Sequence, residues 1–110
     1  MAKTNIGVKG RLVGIYAGFG HEKLAITTAA GTGLSATVFA PAGTNAVQAA
    51  VITVETADIR YRYDGTAPTV TTGHLVASGG AIMIVGYENV NNFQAISRTD
   101  NAEINVSYER

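Results

Sequence analysis

Histidine, carboxylate and serine side chains build most catalytic and metal sites, and this chain carries few of them at useful spacings. Its two histidines are His21 and His74. A zinc site needs three or four ligands at the short spacings of a helical turn or a knuckle. Asp58, Asp64 and Glu88 are acids that could join the histidines, but none falls at such a spacing. His74 sits beside a turn, where local hydrogen bonding accounts for it. Ser78 or Ser97, taken with His74 and Asp64, makes a serine–histidine–aspartate set on paper. Ala77-Ser78-Gly79 lacks the flanking pattern of a nucleophile elbow, so that set reads as a coincidence of common residues. The absence of cysteine excludes a thiol nucleophile, a thiolate metal site and a disulfide. No catalytic, cofactor-binding or metal-ligating residue is assigned on these grounds. The chain is expected not to be an enzyme and to need no cofactor.

Two glycine pairs, Gly18-Phe19-Gly20-His21 and Gly31-Thr32-Gly33, resemble fragments of a phosphate loop. Neither continues into the Lys-Ser/Thr that such a loop requires, and neither opens a long helix whose N-terminus could hold the anion. Both read as turns. Asp64-Gly65-Thr66 begins like a calcium loop but lacks the remaining ligands, so an Asx turn is the expected structure, with a positive φ at Gly65.

The most informative stretch is Arg60-Tyr61-Arg62-Tyr63-Asp64. On a strand it places the two arginines on one face and the two tyrosines on the other. Three readings are open. The arginines form a solvated charged face over a tyrosine-lined core. Alternatively they pair with carboxylates of a neighbouring strand or subunit, which suits their planar fork. In the third reading the tyrosines form a platform for stacking sugars. The first two are preferred.

The elements that must carry these residues read as short strands. Thr, Val and Gly are abundant beside Ala, and helix formers are scarce. Strands are expected at residues 8–16, 23–28, 34–39 and 51–55, with Ile52 and Val54 on one face. After Asp58 the inward phase changes to Ile59, Tyr61 and Tyr63, so a bulge or bend must fall at Thr56-Ala57-Asp58. Leu75–Ala77 and Ala81–Val85 flank Gly79-Gly80 and look like a hairpin. Strands are also expected at 92–97 and 103–109. In the last, Ile104, Val106 and Tyr108 point inward and Glu103, Asn105, Ser107 and Glu109 outward. Residues 44–50 are open to a single helical turn. The expected fold is all-β: one domain over 1–110, a compact β-sandwich (jelly-roll-like) or small barrel of about 8–10 short antiparallel strands. Residues 1–7, which hold Lys3, lack a strand pattern and are a candidate extended arm, ordered by contact with another subunit.

The chain has 110 residues, eight basic and eight acidic, and no net charge. That balance argues against a general nucleic-acid binder and against a polybasic membrane anchor. No apolar run is long enough to span a bilayer, and Ala2-Lys3-Thr4-Asn5 is not followed by the apolar stretch of a signal peptide. Starting at Met1 and ending at Arg110, it is expected to be a complete short product made in the cytoplasm. Much of its 46% hydrophobic content is alanine, so large apolar side chains are fewer than that fraction suggests. With no disulfide or metal to staple a small core, burial against a partner subunit is the remaining source of extra stability. A homo-oligomer, dimer or trimer, is expected.

Over residues 34–110 the chain resembles small structural proteins of the head or decoration type from tailed bacteriophages and prophages. The resemblance is carried by Pro41-Ala42-Gly43, by Ala50 to Glu55, and by Ile59-Arg60-Tyr61-Arg62-Tyr63-Asp64-Gly65-Thr66-Ala67-Pro68-Thr69. Gly73-His74-Leu75, Asn92 to Ile96 and Val106 to Glu109 complete it. It implies a virion-associated protein of the head or head–tail region, with the major capsid protein or other virion proteins as partners. It brings no catalytic residues. The leading expectation is a capsid cement or decoration protein, which works by burying surface between shell subunits. The alternatives are an adhesion or carbohydrate-binding module displayed on the virion, with Tyr16, Phe19, Tyr61, Tyr63 and Tyr87 as candidate platforms, or a head–tail or tail component. The lack of tryptophan counts against the sugar reading. A small hydrolase ranks last.

Overall fold

In the strand β8 (Ala102–Glu109), Ala102, Ile104, Val106 and Tyr108 are buried, while Glu103, Asn105, Ser107 and Glu109 are half-buried. That strict alternation gives β8 one wholly apolar face, and both of its edges are paired, so it lies inside a sheet. It is flanked by β1 (Gly18–Ile26) and β3 (Ala49–Glu55), both antiparallel to it. β6 (Ala81–Val85) pairs with the far side of β3 and completes the order β1-β8-β3-β6. A second antiparallel sheet has the order β2-β7-β4-β5, from β2 (Thr32–Gly33), β7 (Gln94–Ser97), β4 (Ile59–Arg62) and β5 (His74–Val76). Two short helices, α1 (Ala36–Phe39) and α2 (Tyr87–Asn92), are the helices among the described residues. These elements come from a computed structural model that describes residues 16–41 and 46–110.

Both sheets contribute to one core. Ile26, Ile52, Val54, Ile84, Ile104, Val106 and Tyr108 come from the first, and Ile59, Val76 and Ala95 from the second. Phe39 and Val90 reach it from the two helices. Among the connections between the described strands, only β4 to β5 stays within a sheet; every other crosses from one to the other.

The expected change of phase after Glu55 is one of these crossings. β3 ends, Thr56 takes a φ of +81°, and the Ala57 N–H donates to the Glu55 carbonyl at 3.0 Å. The chain turns in three residues and enters the other sheet, which inverts the inward parity. The expected hairpin across Gly79-Gly80 is corrected. The turn exists, with Gly80 N–H on the Ala77 carbonyl at 2.9 Å, but β5 and β6 belong to different sheets. Residues 34–39 are corrected as well. Leu34 and Val38 are half-buried and Phe39 is buried, a spacing of one helical turn that α1 supplies in place of a strand. α2 lies between the strands expected at 81–85 and 92–97, where no element is assigned from the sequence, and it takes Asn92 from the second of them. It brings Val90 inward, three residues before the buried Phe93. The helical turn considered for 44–50 is absent from the described part, where Ala49 and Ala50 open β3. Gly18–His21 opens β1 with a register shift between Gly18 and Gly20, and Thr32–Gly33 pairs with β7, so neither glycine pair is a simple turn. Residues 1–7 and nearly all of the strand expected at 8–16 lie outside the described residues.

Candidate functional site

The Arg-Tyr-Arg-Tyr-Asp segment spans β4 and its exit. Its two faces do different things. Ile59 begins the inward face and is buried; Tyr61 is half-buried and Tyr63 is 41% exposed, so this face runs from the core out to solvent. Tyr61 lies near-parallel to the buried Phe93 at 5.5 Å between ring centres. His74 stands opposite Tyr61 on β5, 5.2 Å from its ring. Tyr63 lies 6.3 Å from Tyr61 and 6.1 Å from His74, within about 23° of parallel to each. Burial, then the neighbouring Tyr63, holds the Tyr61 phenol above its ordinary pKa.

The outward face holds the β4–β5 loop in place. Arg60 donates from Nε to the Val70 carbonyl at 3.0 Å and from its terminal nitrogen to the Gly73 carbonyl at 2.9 Å. Gly73 has a φ of +137°, and a Cβ there would sit 3.1 Å from the Tyr61 carbonyl, so only glycine fits. Pro68, within this loop, is buried, and Ile96, beside Arg60 on the same outward face, is only 5% exposed. Arg62 forks onto Asp64, with Nε on one carboxylate oxygen at 3.1 Å and the terminal nitrogen on the other at 2.5 Å. The Thr66 N–H donates to Asp64 at 3.3 Å, which is the Asx turn expected there, and Gly65 has the expected positive φ of +86°. The arginine thus pairs within its own strand exit and not with a neighbouring strand. Those side-chain hydrogen bonds from Arg62, helped by Thr66, lower the Asp64 carboxyl from 3.8 to about 2.

Arg62, Tyr63, Asp64, Thr72, Gly73 and His74 together line an open cleft of about 480 Å³. Tyr63 also lines a second, smaller cleft of about 180 Å³ with Tyr61, Met83, Ile84, Val85 and Asn89. Tyr63 thus lines both.

The other candidate residues are dispersed. His21 is on β1, in the other sheet from His74, and hydrogen-bonds Ser107 Oγ at 3.1 Å and Asn105 Oδ1 at 3.2 Å. Asp58 accepts the Ser78 N–H at 2.9 Å and pairs with Arg98 at 3.6 Å, which ties the β3–β4 crossing to the turn before β6. Ser97 is buried and donates to the Asp100 carbonyl. The paper triad is not assembled: His74 and Asp64 share the cleft, but neither Ser78 nor Ser97 lines it, and the Ser97 hydroxyl is committed to the Asp100 carbonyl. Glu88 lies exposed in the first turn of α2. Among the described residues no three His, Asp or Glu side chains group as metal ligands. No helix among them is long and apolar enough to cross a membrane. Of the five candidate platforms, Phe19 packs on Tyr108 with the Arg110 guanidinium 4.2 Å over its ring, and Tyr87 packs edge-on to Phe39. Only Tyr61 and Tyr63 come together. The part sequence reasoning missed is the junction of His74 with them. The signal was the period-two phase of β4 alone, because the β5 register across from it is a tertiary fact.

Comparison of the chain with protein-family models, with curated proteins and with solved structures found no match.

Proposed function

We propose that the chain is a structural subunit of a tailed-phage particle, a capsid cement or decoration protein built as a jelly-roll β-sandwich. The observation that carries this reading is the strand order. β1-β8-β3-β6 and β2-β7-β4-β5, with nearly every connection among the described strands changing sheets, is the strand order expected of two interleaved Greek keys and supports the jelly-roll reading. Jelly rolls serve viral capsids and also lectins. The resemblance over residues 34–110 favours the capsid branch. The surface favours it too: Tyr63, Val70, Leu75, Val85 and Tyr87 are 38–49% exposed, which leaves large apolar side chains for a partner to cover. In this reading the subunit is a homo-oligomer, dimer or trimer, and it binds the major capsid protein or another virion protein. It works by contact alone, without catalysis, and recognises neither nucleic acid nor membrane.

The test compares particles with and without the protein. Binding only to the assembled shell stabilises that shell by mass action, so particles lacking it release their genome at a lower temperature. Quantitative mass spectrometry of purified particles then gives a copy number near that of the major shell protein. Bare shells that survive heat as well as dressed ones overturn the cement role, and a few copies per particle moves the protein to the head–tail region or tail.

A further inference from the structure

We propose that the cleft bounded by Tyr63, His74 and the Arg62–Asp64 pair is a binding site for a neutral saccharide. This concerns the isolated domain and goes beyond the building-block reading, which stands or falls separately.

Four features of the cleft lead to a sugar. The first is its aromatic wall. A pyranose presents a face of C–H groups that stacks on a ring, and Tyr63 and His74 offer two near-parallel rings at the surface. Tyr61 and the buried Phe93 stand behind them, so the wall is held in place before a ligand arrives. The second is the polar fork. Arg62 has five N–H groups and commits two of them to Asp64; Asp64 Oδ1 takes both Arg62 Nε and the Thr66 N–H, while Oδ2 takes one donor and keeps acceptor capacity. Donors and acceptors therefore lie side by side, which suits vicinal hydroxyls, since each hydroxyl both donates and accepts. The third is charge. Arg62 is already neutralised by Asp64, so the cleft offers no uncompensated cation to a phosphate or a nucleic-acid backbone. The fourth is shape. The cleft is open, Gly73 in its lining has no side chain, and Tyr63 also lines a second cleft with Tyr61, Met83 and Asn89. A ligand of more than one ring can therefore contact Tyr63 from both clefts.

The experiment is NMR titration of the purified, isotope-labelled chain with maltohexaose, cellohexaose, mannohexaose and chitohexaose in turn. Glucose 6-phosphate and inorganic phosphate serve as anionic probes. The expected result is saturable shifts of the Tyr63, Thr72, Gly73 and His74 signals with at least one neutral hexasaccharide, and none with inorganic phosphate. Tyr63→Ala should weaken that binding about tenfold or more, and Tyr63→Phe should restore it, because the face and not the hydroxyl does the stacking. Asp64→Asn should weaken it independently. The spectra of the variants outside the cleft should match the parent, which separates lost binding from lost fold. No shift with any hexasaccharide at millimolar concentration overturns the proposal. So does binding that survives both Tyr63→Ala and Asp64→Asn, or binding that only the phosphate-bearing probes show.

Discussion

The Tyr108 hydroxyl donates its hydrogen bond to a carboxylate oxygen of Glu22, and the same oxygen accepts the Ser35 N–H at 3.0 Å. Tyr108 is fully buried at the end of β8, and Glu22 lies on the inward parity of β1 beside it. One carboxylate thus satisfies a core phenol and the backbone that leads into α1. Removing it leaves two polar groups without an acceptor. Glu22→Ala should cost about 1–3 kcal/mol, and Glu22→Gln, which keeps an acceptor, distinctly less. Tyr108→Phe should cost about 1 kcal/mol, because Glu22 retains the Ser35 bond. Urea unfolding of the three variants beside the parent checks the order. Equal losses for Ala and Gln would mean that the carboxylate is not the shared acceptor.

The same contact predicts alkaline sensitivity. Burial, with the Glu22 bond adding to it, pushes the Tyr108 phenol far above its ordinary 10.0, and Tyr61 is raised by burial as well. A folded pKa above the unfolded one means that the folded state holds its proton longer. The associated stability is whole below pH 10 and is lost as pH rises above it. Melting temperatures measured on either side of pH 10 should fall in the parent. They should fall less steeply in Tyr108→Phe, which has one fewer phenol to ionise on unfolding.

Thr56 and Gly65 make an opposed pair. Thr56 is β-branched and holds a φ of +81°, whereas Gly65 holds +86° with open space around the position of a Cβ. Thr56→Gly should relieve backbone strain and stabilise by up to about 1 kcal/mol after the entropy glycine adds to the unfolded chain. Gly65→Val should destabilise by about 1–3 kcal/mol through backbone strain alone, and Gly65→Asn by less. Calorimetric midpoints that move in the same direction for Thr56→Gly and Gly65→Val would contradict this.

Arg60 holds residues 70 and 73 with two donors of one guanidinium. Arg60→Ala should cost about 1–3 kcal/mol and speed hydrogen exchange at Thr69, Thr72 and Gly73. Arg60→Lys should not restore protection, because one ammonium does not reproduce the planar fork that reaches both carbonyls. Exchange rates in the rest of both sheets should stay near the parent's.

Asp64 titrates at about 2 because Arg62 donates both hydrogen bonds. Its folded pKa is depressed, so the pairing is present above 3.8 and is lost as pH falls through about 2. Carboxylate NMR of Arg62→Gln should show Asp64 moving up towards the ordinary value. Because the pair is exposed, the effect on overall stability should be small.

Much of the core was legible one strand at a time. The alternation in β8, the inward Ile52 and Val54, and the parity break near Thr56 follow from period-two geometry, which each strand expresses locally. The helices were not. Thr37, Val38 and Phe39 have β propensity, yet the core wants Phe39 between the rings of Tyr108 and Tyr87, and a helical turn delivers it there. Of the cleft, the Asp64–Gly65 turn and the opposed faces of β4 were legible, because both depend on residues within five positions of one another.

By itself the sequence determined that this is a cysteine-free, neutral chain rich in short strands, with a single inward face on β8 and a glycine turn after Asp64. Those properties are set by composition and by the backbone's own periodicity. Only the tertiary structure decided which strands are neighbours. Gly79-Gly80 looks like the tip of a hairpin, but the turn passes between sheets, since β6 finds its partner in β3 and β5 finds its partner in β4. The same register sets His74 against Tyr61 and closes the cleft. Pairing of this kind is decided by which apolar faces bury one another across the whole chain, and no local stretch carries that information.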